Sequence, residues 1–297
     1  MKLADIFKTS SLPRLEIEIL LAFLLNKNRE FLLTHPEIKI SPIIYKKFKA
    51  LEIKRSKNWP IAYLTGTKEF YGFDFRVSPA VLTPRPETEK IVEDIIEITK
   101  RKTFVSLKDK LADNLTLRPI IIDIGTGSGA IIISAAKELK RLTPAVYRRT
   151  EFLAVDISAI ALKIARTNVS RHKLAKKIKL YRGDLLSPLK LSKRDLSRNE
   201  LIIAANLPYL TKAQIKKAPS IGREPVLALD GGPDGLKYYR ELFKQLSRLS
   251  GVGNIRIICE IDDSQAKKIK ILTEKYFPRA VSRIVYDLAG KKRFLAF

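Results

Sequence analysis

The sequence predicts an α/β protein: a doubly wound, mostly parallel sheet of seven strands, preceded by a small all-helical domain and a β-hairpin linker. Three observations predict it. From Ile120 onward, short β-branched runs alternate with helix-period segments, which is the pattern of a parallel sheet covered by helices. Over residues 10–66 the apolar residues recur at helical spacing only. Between the two regions lie aromatic and β-branched residues punctuated by Gly66 and Gly72.

With 297 residues the chain can bury a core in two domains, and 45% hydrophobic against 30% charged residues reads as globular. Apolar runs such as Ile19 to Leu25 are too short to span a bilayer, and Met1 to Lys8 lacks the continuous apolar core of a cleavable signal. A cytoplasmic protein without membrane association is expected. The single cysteine, Cys259, sits in an apolar run and reads as a buried strand residue, which excludes an internal disulfide. Two histidines and one cysteine cannot supply an ordinary zinc site, so no metal is expected; His35 and His172 stand in polar contexts and read as surface residues. The net charge is +26, of which residues 1–66 contribute +6. Such a surplus favours a polyanion, so weak contact with RNA or the ribosome through a basic surface is expected of a chain that is otherwise read as a monomer.

In order, Ser10 to Arg14 offer caps and an early proline, Leu15 to Leu24 repeat at helical spacing, and Asn26 to Asn28 end that helix. Phe31 to Leu33 and Ile43 to Leu51 give further amphipathic segments of a helical bundle. Pro60 to Val77 reads as two short strands in a hairpin. Thr83-Pro-Arg-Pro-Glu-Thr-Glu89 then leads into a helix, Ile91 to Ile98; Pro86 suits its first turn, and Arg85 is held extended between prolines. Residues 101–118 read as a polar connection. Strands follow at Ile120–Ile124, Glu151–Val155, Lys177–Tyr181, Leu201–Ala205 and Asn254–Ile261, interleaved with helices at 130–139, 160–169, 236–249 and 265–277, with a charged loop over 187–200. Val281–Asp287 and Arg293–Phe297 close the sheet as a hairpin containing an antiparallel strand.

Ligands in such sheets bind at the carboxyl ends of the strands near the switch point, and Asp123, Gly125, Asp156, Asp184 and Asn206 all fall there. The turn Gly125-Thr-Gly-Ser-Gly129 opens a helix whose first N–H groups face a ligand. Asp156 can accept both hydroxyls of a ribose, and Asp184 can meet an adenine amino group. Asn206-Leu-Pro-Tyr209 presents two acceptors, the Asn206 side-chain oxygen and the Leu207 carbonyl, the latter aimed by the following proline. Together they can hold a planar NH2 group by both protons, with Tyr209 stacking on it.

These motifs resemble the N5-glutamine methyltransferases that modify peptide chain release factors. The resemblance covers nearly the whole chain: Arg14 to Leu25, Pro60 to Gly72, Leu82 to Glu89, Asp123 to Ile131, Asn206 to Tyr209, Glu224 to Leu229, Gly231 to Tyr239 and Asp287 to Gly290. It implies a Rossmann-like methyltransferase sheet over 90–297, a linker over 67–89 and a substrate-docking helical domain over 1–66. It implies S-adenosylmethionine held by Asp123, Gly125, Thr126, Gly127, Ser128, Gly129, Asp156, Asp184, Leu185 and Asn206. It implies that Asn206, Leu207, Pro208 and Tyr209, with Arg85, hold the glutamine of a release factor's Gly-Gly-Gln loop. One departure stands out: the family usually has proline where this chain has Leu207, which keeps the carbonyl acceptor but loosens the loop. Asn-Leu-Pro-Tyr also resembles the ribosomal-RNA adenine methyltransferases, and N6-methylation of adenine is the alternative activity. The Pro-Arg-Pro-Glu-Thr-Glu stretch and a helical domain before the sheet count against it.

Overall fold

The computed structural model describes residues 2–108, 117–191, 199–249, 255–287 and 289–297. Parts of the expected 101–118 connection and 187–200 loop, together with Asn254 and Leu288, lie outside the described residues.

The N-terminal region is helical: α1 (Leu3–Thr9), α2 (Arg14–Leu25), α3 (Arg29–Thr34), α4 (Pro42–Ser56) and α5 (Ile61–Thr65). Local chemistry sets its breaks. Asn26 takes the left-handed conformation (φ 52°) that ends α2, the Asn28 side chain accepts from the Phe31 amide to start α3, and Ser41 with Pro42 starts α4. Leu3, Leu20, Leu21, Leu32 and Phe48 are fully buried in one core, each worth about 1.5–3 kcal/mol on burial. Two features differ from the sequence reading. The bundle begins with α1, ahead of residue 10, and Ile61–Thr65 is a turn of helix, because Pro60 opens it and left-handed Gly66 closes it. The strands of the hairpin are β1 (Thr67–Phe70) and β2 (Phe73–Arg76), antiparallel.

After a single 3-10 turn at Pro86–Thr88, α6 (Glu89–Lys108) runs ten residues beyond the expected Ile98. The sheet then contains β3 (Arg118–Ile124), β4 (Glu151–Asp156), β5 (Ile178–Arg182), β6 (Asn199–Ala205), β7 (Ile255–Glu260), β8 (Arg283–Tyr286) and β9 (Lys292–Ala296), in the order β5-β4-β3-β6-β7-β9-β8. The first five pair in parallel, and β9 enters antiparallel between β7 and β8, as expected of the final hairpin. Strands β3 and β6 are buried on both faces, which explains their continuous Ile and Ala runs. One face carries α7 (Ala130–Leu142), whose Ile132, Ile133, Ala135, Ala136 and Leu139 are fully buried. The helices α8 (Pro144–Arg149), α9 (Ala159–Arg171), α10 (Lys212–Lys217), α11 (Lys237–Ser247) and α12 (Ala266–Tyr276) complete the layers.

Cys259 is fully buried in β7, as expected. Both histidines are half-buried, against the surface reading. His35 stacks on Phe31 at 4.4 Å between ring centroids, and His172 lies 5.1 Å from Phe75 with Nε2 3.0 Å from the Asp74 carbonyl. Among the described residues no helix is long and apolar enough to cross a membrane.

Candidate active site

The sheet changes direction of winding between β3 and β6, and a cavity of about 320 Å³ opens at their carboxyl ends. Its floor is the glycine turn after β3. The amides of Gly125 and Thr126 donate to the Val155 carbonyl at 2.9 and 3.0 Å, binding the turn to the end of β4. Gly125 has φ +73°, and a Cβ there would come within 3.1 Å of Leu207 Cδ2. The left-handed conformation calls for glycine, and the Leu207 side chain packed against it leaves little room for a larger residue.

Asp156, at the end of β4, accepts from the Gly127 amide at 2.9 Å and from the Ser158 amide at 2.8 Å. One oxygen holds the glycine turn and the other the start of α9, and each retains a free lone pair beside the cavity. Burial raises the Asp156 carboxyl above its ordinary range, and the two amides pull it back down. Asp123 is buried under the turn with Oδ2 accepting from the Thr126 hydroxyl at 2.7 Å. Burial pushes its carboxyl up to about 7. Leu185, after β5, is held left-handed at φ 52°, a conformation that costs a leucine roughly 1–2 kcal/mol, and its buried side chain lines the cavity beside exposed Asp184.

The second loop follows β6. Both protons of the Asn206 carboxamide are used within the protein: Nδ2 donates to Oγ1 of Thr88, another cavity-lining residue, at 3.0 Å and to Glu260 Oε2 at 2.9 Å. Thr88 in turn donates to the same Glu260 oxygen at 2.6 Å. The Tyr209 hydroxyl donates to Glu260 Oε1 at 3.0 Å. With its nitrogen committed, Asn206 has only Oδ1 left to offer, as an acceptor. Glu260 is buried, and burial raises its carboxyl above the ordinary range while Thr88 and Tyr209 oppose the rise. Tyr209 is likewise pushed up, by burial and by the Glu260 charge.

The backbone of this loop is clamped from behind. Leu210 exchanges backbone bonds with Leu229 and Gly231 at 2.9 and 2.8 Å, and Gln265 Nε2 donates to the Tyr209 carbonyl at 2.6 Å. Gly235, at φ +73°, is packed so closely that a Cβ would fall on the Tyr209 carbonyl and on Gln265 Nε2. Overhead, Arg85 donates to Glu224 Oε2, whose Oε1 also accepts from the Thr83 amide at 3.3 Å. That pair ties the Pro-Arg-Pro segment to the segment carrying Pro225 and Leu227, which covers the cavity.

Of the residues singled out in the sequence, Gly125 to Ser128, Asp156, Asp184, Leu185, Asn206, Leu207, Pro208 and Arg85 line this one cavity. Asp123, Gly129 and Tyr209 do not line it. Asp123 sits under the turn, Gly129 faces Ile133 and Ala165 of the neighbouring helices, and the Tyr209 hydroxyl is directed to Glu260. Sequence reasoning missed Thr88, Glu224, Glu260 and Gln265. For Glu260 a signal was present: an acidic residue ending an apolar strand, the same cue that selected Asp156. Among the described residues no cluster of ligating side chains could hold a metal ion.

Residues 119–280 match a methyltransferase domain family, and residues 2–66 match the PrmC N-terminal domain. The release factor glutamine methyltransferase of Moorella thermoacetica is 36% identical over 96% of this chain and 91% of its own length. That of Rhodopirellula baltica is 34% identical over 97% of this chain and 90% of its own. The chain belongs to the release factor glutamine methyltransferase family. Its fold is shared with the catalytic domain of human METTL16, solved in complex with MAT2A 3'UTR hairpin 1, at a TM-score of 0.57, with 13% identity over 93% of this chain and 90% of that one. At that identity the likeness concerns the fold alone.

The family's cofactor is S-adenosylmethionine, and the cavity fits it. The glycine floor leaves no Cβ between the two loops, and Asp156, which lines the cavity, keeps acceptor lone pairs for a polar ligand.

Proposed function

We propose that this enzyme methylates the side-chain amide nitrogen of the glutamine in the Gly-Gly-Gln loop of a peptide chain release factor. The observation that carries the reading is the commitment of both Asn206 amide protons to Thr88 and Glu260. It leaves an acceptor, and no donor, for an incoming NH2 group.

When bound, S-adenosylmethionine supplies a methyl group on a cationic sulfur. The chain's own residues make the amide nitrogen able to take it. An amide nitrogen is a weak nucleophile because its lone pair is delocalised into the carbonyl. Asn206 Oδ1 and the Leu207 carbonyl accept its two protons, return electron density to it and fix the direction of its lone pair. As the nitrogen acquires the methyl as its fourth substituent it becomes positively charged, and the same two oxygens stabilise that charge until one proton leaves to solvent. No histidine base is required. Arg85, paired with Glu224 and lining the cavity, is read as a further contact for the glutamine.

The helical domain is read as the docking surface for the release factor. Support comes from a groove between α2 and the Pro-Arg-Pro segment, lined by Ile19, Phe23, Pro60, Pro84 and Arg85, which shares Arg85 with the cavity. The basic surplus supports an added weak, salt-sensitive contact with RNA or the ribosome, made by a monomer.

The test is methyl transfer from labelled S-adenosylmethionine to purified release factor, to its Gln→Ala loop variant and to ribosomal RNA in parallel. Label on the intact factor and not on the variant is expected. Label on RNA alone would replace the glutamine by an adenine amino group.

A further inference from the structure

The geometry points to Glu260 as the positioning residue of the reaction: a buried carboxylate, outside the cavity, that sets which end of the Asn206 carboxamide faces the substrate. This rests on the reading of Asn206 to Tyr209 as the amide-holding site, and deepens it.

A carboxamide has two ends of nearly equal shape and opposite hydrogen-bonding character. Rotated by half a turn, Asn206 would present NH2 to the substrate NH2, and the two donors would repel. Nothing in the Asn-Leu-Pro-Tyr segment itself selects the orientation. The selection comes from elsewhere in the chain. Glu260 Oε2, 2.9 Å from Asn206 Nδ2, can only accept when ionised. Thr88 Oγ1 sits 3.0 Å from the same nitrogen, and it is made an acceptor there because its own proton is given to Glu260 at 2.6 Å. One carboxylate thus dictates both partners of the Asn206 nitrogen. Its other oxygen holds the Tyr209 hydroxyl at 3.0 Å, three residues further along the loop, and its backbone carbonyl receives the Tyr239 hydroxyl. Tyr239 in turn receives the Leu207 amide at 3.4 Å, the residue whose carbonyl is the second acceptor. Side chain and main chain of one residue therefore brace both substrate acceptors from behind. Glu260 is 2% exposed and does not line the cavity, so it acts through Asn206 and not on the substrate.

Glu260→Leu removes the constraint; Glu260→Gln keeps an oxygen for Asn206 and Thr88 and turns its NH2 to the Tyr209 hydroxyl. For Glu260→Leu, kcat is expected to fall about 100-fold, the cost of misplacing a reacting group, with KM for release factor and affinity for S-adenosylmethionine within about threefold of wild type. Glu260→Gln should recover about tenfold of that loss. In an Asn206→Ala background, Glu260→Leu should cost nothing further, because the group it orients is gone. If Glu260→Leu does not fold, Thr88→Val carries the test with Glu260→Gln: each should lower kcat with KM unchanged. Wild-type kcat in both, a loss confined to KM or cofactor affinity, or full additivity with Asn206→Ala would overturn the role of Glu260. Near-normal turnover by Asn206→Ala alone would instead remove the site reading beneath it.

Discussion

Two loops meet in this active site, one after β3 and one after β6, and they are built in opposite ways. The glycine turn is local. Its conformation comes from positive φ at Gly125, Gly127 and Gly129, Thr126 bonds back three residues to Asp123, and its further ties are to Asp156 on the adjoining strand and to Asn168 of α9, whose Nδ2 donates to the Ser128 carbonyl at 2.8 Å. The Asn206–Tyr209 loop is held from far away: by Thr88 118 positions earlier, and by Glu260 and Gln265 more than fifty positions later. The glycine turn, proposed to hold the cofactor, is thus set by its own glycines together with β4 and α9, and the loop proposed to hold the amide is set by the assembled sheet. A local site survives small changes elsewhere, whereas a clamped one transmits them.

That contrast can be broken most strongly at its two centres. Asn206→Ala is expected to lower kcat by about 10²–10³-fold, the usual cost of removing one preorganised hydrogen-bonding group, with cofactor affinity nearly unchanged by calorimetry. Asp156→Ala should do the reverse, weakening S-adenosylmethionine roughly 10–100-fold with a smaller effect on kcat at saturation. If both variants lose cofactor affinity equally, the two halves are not separable.

Gly235→Ala comes next. A methyl there would displace the Tyr209 carbonyl or Gln265, and the backbone is left-handed. About 1–3 kcal/mol of stability should be lost in urea unfolding, with kcat reduced and cofactor affinity spared. Because Gly235 touches no substrate, a normal kcat would show that the clamp does not matter to catalysis.

Asp123 sharpens the local side. Its carboxyl is pushed from 3.8 up to about 7 by burial, so between those values the folded chain keeps a proton that the unfolded chain has released. Its contribution to stability is full at low pH, declines as pH rises from about 4 to about 7, and is level above, a change of a few kcal/mol at most. Urea midpoints of the wild type should fall across that window relative to Asp123→Asn, which cannot titrate. Parallel profiles would mean that Asp123 is ionised in the fold.

The smallest effect is expected at Leu207→Pro, which installs the family's usual residue. Proline keeps the carbonyl, gives up an amide bond to Tyr239 already long at 3.4 Å, and stiffens the loop. Turnover should stay within about threefold, since the proline ring fixes the φ of residue 207 in place of the lost Tyr239 bond. A large loss would show that the Leu207 side chain, packed over Gly125, is needed.

Much of this was legible before any coordinates. Continuous β-branched runs and period-3.6 apolar patterns placed the strands and helices around the switch point, because burial on both faces of a strand or one face of a helix leaves its mark on consecutive residues. Misreadings came where local composition was overruled: Ile61–Thr65 looks like strand and is helix between Pro60 and Gly66, and α6 continues past Ile98 to Lys108 although its sequence turns polar there.

By itself, then, the sequence determined the layered α/β architecture, the glycine turn, the strand-end acids and the Asn206 loop. Each of these depends on residues within a few positions of one another, where backbone sterics and hydrophobic period act directly. Only the tertiary structure decided which way the Asn206 carboxamide points, why Gly235 must be glycine, and what Arg85 grips. Those are contacts between segments far apart in the chain, such as Glu260 with Asn206, Glu224 with Arg85 and Gly235 with Tyr209. They form only when the sheet has brought the carboxyl ends of β6 and β7 side by side, so no neighbouring residue records them.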